Sequence, residues 1–166
     1  MFELKRLSTE ALPAALEKAD RYRLLGDALE AECICRDILE VDPDNRAARI
    51  TLILALSEQL QRRVGEKYDQ AHQLIQGLAD EYSRAYYEGL LSERRAKVVL
   101  DRDDAGSGPA AYAWFRQAMA HFEQAIELRP AGNDDPILRW NTCARILNRH
   151  TDLKPEPETR ISDMLE

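Results

Sequence analysis

The sequence predicts an all-α fold built from antiparallel helix pairs, and three observations carry that expectation. Ala, Leu, Glu and Arg dominate, and only 7 glycines and 7 prolines occur among 166 residues, a balance that favours helix over strand. Apolar residues then recur at helical spacing in segment after segment. Finally, one stretch returns in altered form: Asp27 to Asn45, DALEAECICRDILEVDPDN. From Ala31, the residues Cys35, Ile38 and Pro43 follow at steps of four, seven and twelve, and from Ala118 the residues Phe122, Ala125 and Pro130 follow at the same steps. A third copy starts at Ala71, where Ile75 and Leu78 fall in place and Ser83 stands at the proline position.

The elements follow in order. Ser8 and Thr9 offer caps for a first helix that tolerates Pro13 in its first turn and runs to about Leu25, with Leu12, Leu16, Ala19 and Tyr22 as its stripe. Gly26 stops it, and Asp27 with Glu30 imitates a capping box for the second helix, which extends to Val41. Asp42-Pro43-Asp44-Asn45 is a turn in which Asp44 or Asn45 caps the third helix. That helix, Arg46 to about Arg63, is apolar around more than half its circumference through Ile50, Leu52, Ile53, Leu54, Leu56 and Leu60, so it needs neighbours on both sides.

The fourth helix is expected from about Lys67 to Tyr82, with extra residues near Gln61 to Tyr68, and the fifth from a Ser83 cap to about Leu100. Asp101 to Pro109, DRDDAGSGP, reads as a flexible loop. Ala110 to about Leu128 forms the sixth helix, and Asp135 caps a seventh that Pro136 opens and Arg149 closes. Residues 1–150 thus make the helical domain. Residues 151–166 make a tail, extended and solvated or carrying a short docking helix through Ile161, Met164 and Leu165.

Composition narrows the function classes. A chain of this length forms one domain that buries roughly 68 to 70% of its unfolded surface. The net charge of −7 argues against a nucleic-acid binder, because phosphate binding draws on Lys and Arg. No stretch approaches the roughly 20 apolar residues that cross a bilayer, and MFELKRLSTEALPAAL lacks the apolar core of a secretory signal. With an odd number of cysteines, three, the expectation is a cytoplasmic protein.

The recurring small residue, bulky residue one turn on, second contact residue and terminating proline resemble the second half of the tetratricopeptide repeat, from about Leu12 to Arg149. Three repeats plus an extra helix would stack as a short α-solenoid, since one pair cannot bury both its faces; an irregular helical bundle of the same helix count is the alternative fold. The resemblance implies a scaffold or chaperone-like module that holds a partner peptide or helix in its concave groove. In that family the first helix of each pair lines the groove. By spacing this implies Asp20 and Arg23, then Ile50 and Leu54, then Glu88, Ser92 and Arg95, and finally Asn141 and Arg145. Asn141 alone matches the asparagines and lysines of the family's carboxylate clamp, while Arg95 and Arg145 offer forks for acidic groups.

Chemical sites find little support. Asp101, Asp103 and Gly106 echo a calcium loop, but Ala105 and Tyr112 stand where two ligands belong. Cys33 and Cys35 diverge by about 200° on a helix, and Cys35 falls at a core position. His72, His121 and His150 lie on separate helices or helix ends, as surface or boundary residues. GSG at Gly106 to Gly108 lacks the lysine and strand of a phosphate cradle, and no nucleophile elbow is present. Tyr86, Tyr87, Tyr112, Trp114, Phe115 and Trp140 have apolar neighbours and are mostly core. No catalytic, cofactor or metal residues are expected, and the chain is not expected to be an enzyme. The second function class is a structural subunit that self-associates through its last helix, where Ile137, Trp140, Ala144 and Leu147 form an apolar stripe that Leu138, Cys143 and Ile146 widen.

Overall fold

A computed structural model describes residues 2–102 and 104–155. Within them a 3-10 turn, Thr9–Ala11, leads into α1 (Leu12–Leu24), α2 (Ala28–Val41), α3 (Arg46–Glu58), α4 (Val64–Gln76), α5 (Glu81–Arg102), α6 (Ser107–Leu128) and α7 (Asp135–Arg149). No strand occurs among the described residues, so the fold is all-α. None of these helices is long and apolar enough to cross a membrane.

Local chemistry accounts for most boundaries. Gly26 takes φ +86°, the left-handed conformation that closes α1 at little steric cost. The Asp27 carboxylate accepts from the Glu30 amide at 3.2 Å and the Asn45 side chain from the Ala48 amide at 3.0 Å, so both residues cap the helices that follow them.

Elsewhere the boundaries depart from the sequence expectation. The third helix ends at Glu58 rather than Arg63, because the chain turns at Gln59 and sends Leu60 into the core, 1% exposed. The fourth consequently runs from Val64 to Gln76 and stops six residues before Tyr82. Ser83 is no cap: α5 begins earlier, with the Asp80 carboxylate accepting from the Ser83 amide at 2.7 Å while the Ser83 hydroxyl accepts from Arg46 at 2.9 Å. The long loop also shrinks, since Asp101 and Arg102 extend α5 and α6 opens at Ser107 after Gly106 at φ +89°. Ser8 makes no side-chain cap bond, and Asp135 is the first residue of α7 rather than its cap.

Each helix packs on the next in sequence, and α1 also meets α3, α3 meets α5, and α5 meets α7. The apolar α3 is covered on several sides, as its composition requires: Leu52, Ile53 and Leu56 join Cys35 of α2 and Ala71 and Ile75 of α4. A second cluster gathers Leu90 of α5, Phe115 and Phe122 of α6 and Cys143 of α7. Ala31, Ala71 and Ala118, the small anchors of the recurring pattern, are fully buried. The α5–α6 contact is close enough that a Cβ added to Gly89 would lie 2.6 Å from the Phe122 ring.

After α7, the chain turns at His150 and buries Leu153 in the second cluster, near Gly108. Leu153 is thus a buried exception within a stretch whose other described residues, Thr151, Asp152, Lys154 and Pro155, are exposed. The docking helix expected through Ile161, Met164 and Leu165 lies outside the described residues.

Candidate functional site

The odd-numbered helices are joined by polar side chains along one face. Between α1 and α3, the Thr51 hydroxyl donates to the Asp20 carboxylate at 3.0 Å and Arg23 pairs with Glu58 at 2.8 Å. Between α3 and α5, the Arg94 guanidinium donates to the Leu54 carbonyl at 3.0 Å, to the Ser57 hydroxyl, and to Glu58 at 3.3 Å. Glu58 thus bridges arginines from two different helices. Between α5 and α7, Arg139 approaches the buried Glu93 carboxylate at 3.6 Å, and Lys97 meets the same oxygen at 2.5 Å. One Glu93 oxygen, Oε2, is buried with no hydrogen-bond partner among the described residues.

Charge on this face is accordingly held by fixed partners, which limits side-chain freedom and presets its geometry. Burial pulls the Arg94 pKa down while Glu58 pulls it back up, and the net shift is downward. Arg139 shifts the other way: burial acts against its charge, but Glu93 and the neighbouring Tyr86 outweigh it. A cavity of about 310 Å³ opens beside this network, lined by Ser57, Glu58 and Gln61 from α3 and its following turn and by Arg94, Lys97 and Asp101 from α5. Its walls supply donors and acceptors without a nucleophile–base pair.

The residues named from spacing separate into two places. Asp20, Arg23 and Leu54 belong to the odd-helix links just described, and Ile50 is half-buried against the first core cluster. Glu88, Ser92 and Arg95 face α4 and α6 instead. Glu88 lies 2.7 Å from His72 Nδ1 and accepts from Gln76 at 2.9 Å, and Ser92 is fully buried. The Arg95 guanidinium stacks over two rings, 4.9 Å from the Tyr68 centroid and 4.5 Å from that of Trp114. Asn141 is half-buried and Arg145 exposed on α7.

The α5 residues that do face α3 and α7 are Glu93, Arg94 and Lys97. At about 100° per residue, Arg94 lies about 200° from Ser92, and Glu93 and Lys97 each lie about 200° from Arg95, which puts the two sets on opposite sides of the helix. Spacing alone missed Thr51, Glu58, Glu93, Arg94, Lys97 and Arg139. The one available signal was the Glu93–Lys97 pair at the four-residue helical spacing.

Among the described residues no cluster of three or more His, Cys, Asp and Glu side chains is placed to hold a metal ion. Burial pushes the thiols of Cys35 and Cys143 up to about 12, which leaves both protonated and inert. Burial also lowers the pKa of His121, on the α6 side of Glu88. No protein-family model, curated protein or solved structure matches the chain.

Proposed function

We propose that the chain is a short α-solenoid of the tetratricopeptide type, acting as a binding scaffold rather than an enzyme, and that its odd-numbered helices hold a segment of a partner protein. The supporting observation is the pattern of next-but-one contacts, α1 with α3, α3 with α5 and α5 with α7. A stack whose alternate members touch along one side curves toward that side, which makes it the concave face. The polar links across this face and the cavity beside Arg94 and Lys97 fit an extended segment that offers both charges and apolar side chains.

Gln61 and Asp101 are exposed at the mouth of that cavity, so arginine at both positions fills it without removing any of the links described. The Gln61→Arg/Asp101→Arg variant is expected to keep its helicity and melting temperature and to lose the partner that the unaltered chain retains from source lysate. Undiminished capture by the folded variant refutes this binding face.

A second reading, self-association through α7, rests on Leu138, which is 63% exposed on that helix. A mass by light scattering that stays monomeric across concentration removes it.

A further inference from the structure

At the edge of the odd-helix face, the turns that join α1 to α2 and α3 to α4 form one end of the stack, and this end exposes leucine. Leu24 is 77% exposed, Leu25 75% and Leu29 56%. Leu25 and Leu29 border a cavity of about 520 Å³ whose lining also includes Gln59 and Arg62, together with two acids that are already engaged: Asp27, which caps α2, and Glu58, which pairs with Arg23 and Arg94. Leu29 also borders a second cavity, of about 320 Å³, otherwise lined by Gln59, Arg62, Arg63 and Lys67. Two concavities therefore share a leucine wall, and the second has three cations and no acidic side chain in its lining.

The cations differ in availability. Lys67 is neutralised by the buried Glu32. Among the described residues Arg63 pairs only with Glu66, at 3.3 Å, through side chains that are both largely exposed, a contact of small energy. Arg62 is exposed and takes part in none of the ion pairs formed among the described residues. In a chain of net charge −7, a rim with two accessible guanidinium groups beside solvent-facing leucines is complementary to one kind of occupant. The apolar wall takes leucine-like side chains, and the guanidinium forks take carboxylates.

We infer that this end of the stack docks an acidic amphipathic helix of a partner protein, with its apolar side chains on Leu25 and Leu29 and its carboxylates on Arg62 and Arg63. The larger leucine-lined concavity adjoins the cavity beside Arg94 and shares Glu58 and Gln61 with it, whereas Leu25, Leu29, Arg62 and Arg63 lie outside that cavity's lining, so variants at these four positions leave its walls intact.

The test uses the full chain and two fluorescent helical peptides, one of leucine and glutamate and one of leucine and lysine, read by anisotropy. The glutamate peptide is expected to bind at least about tenfold more tightly, the effect of roughly 1.4 kcal/mol from two charged contacts. Arg62→Glu/Arg63→Glu should reverse that preference, and Leu25→Asp/Leu29→Asp should abolish binding of both peptides. Equal affinity for the two peptides, or no saturable binding, overturns the inference. A photo-cross-linker at position 25 provides the remaining control: reaction with residues 156–166 of the same chain, or with a second copy, assigns the surface to another occupant and overturns it as well.

Discussion

The Lys67 ammonium on α4 lies 2.9 and 2.7 Å from the two carboxylate oxygens of Glu32 on α2, and both side chains are nearly closed to solvent. Arg36 and Gln59 complete the set of donors around Glu32. Three elements of the chain thus converge on one acid: α2, which carries both Glu32 and Arg36, then α4, and the turn that ends α3. A buried charge without such partners would be costly, so this cluster fixes the register between the first and second helix pairs.

Burial alone would raise the Glu32 pKa, but the bonds from Lys67, Arg36 and Gln59 outweigh it and hold the pKa below the ordinary carboxylate value. Because the folded value lies below the unfolded one, the stabilisation is complete above the unfolded pKa and is lost as pH falls through the folded pKa. Denaturant midpoints measured from neutral to acidic pH should fall in the acid range for the unaltered chain. Glu32→Gln should flatten that fall. Lys67→Met should cost about 1–3 kcal/mol at neutral pH, where the charge on Glu32 loses its closest donor. A midpoint unmoved by Lys67→Met would contradict this account of the cluster.

Gly89 and Phe122 define the closest approach of α5 and α6. An added methyl would meet the Phe122 ring at 2.6 Å, and that ring is itself fully buried. Gly89→Ala should therefore destabilise by about 1–3 kcal/mol through overpacking, even though alanine favours helix by about 1 kcal/mol. Gly89→Ala with Phe122→Leu should recover part of the loss. A stabilised Gly89→Ala variant would mean that α5 and α6 are farther apart than described.

The three thiols should separate cleanly in a labelling experiment. Cys33 is exposed, whereas Cys35 and Cys143 are buried and have pKa values near 12. With a thiol reagent in excess at neutral pH, Cys33 should react first, and the other two only as fast as the chain opens. Rapid modification of Cys143 would show that α7 does not cover the α5–α6 pair.

Arg95 is held by aromatic faces. Its replacement by alanine removes a cation from over Tyr68 and Trp114, an interaction worth about 1–2 kcal/mol when partly desolvated. Arg95→Ala should lower the denaturant midpoint and shift the Trp114 emission, and Arg95→Lys should fall between the two. Equal midpoints for all three chains would show that the stack contributes no stability.

What could be read from the sequence was whatever local spacing determines. The Asp27 and Asn45 caps act on amides three residues ahead, and Ala31, Ala71 and Ala118 sit in a short fixed pattern, so no knowledge of distant contacts was needed. Asp80 was legible in principle, standing three residues before Ser83, but the hydroxyl was the more conspicuous cap and proved to serve Arg46. The face of α5 was not legible. Its orientation is set by α3 and α7, through Arg94 reaching Leu54 and Glu58 and through Glu93 meeting Arg139, and such long-range pairs leave no periodic trace. Leu153 was missed for a similar reason, since a single apolar residue among polar neighbours has no period at all.

Site-specific cross-linking tests the central claim, that partners bind along the odd-numbered helices, most directly. A photoreactive residue at Asp101, exposed beside the α3–α5 cavity and outside the leucine-lined concavities, is compared with one at Gln73, exposed on the even-numbered helix α4. The partner is expected to be captured through position 101 and not through position 73. Capture through position 73 alone would contradict that claim and move the binding face to the opposite side of the stack.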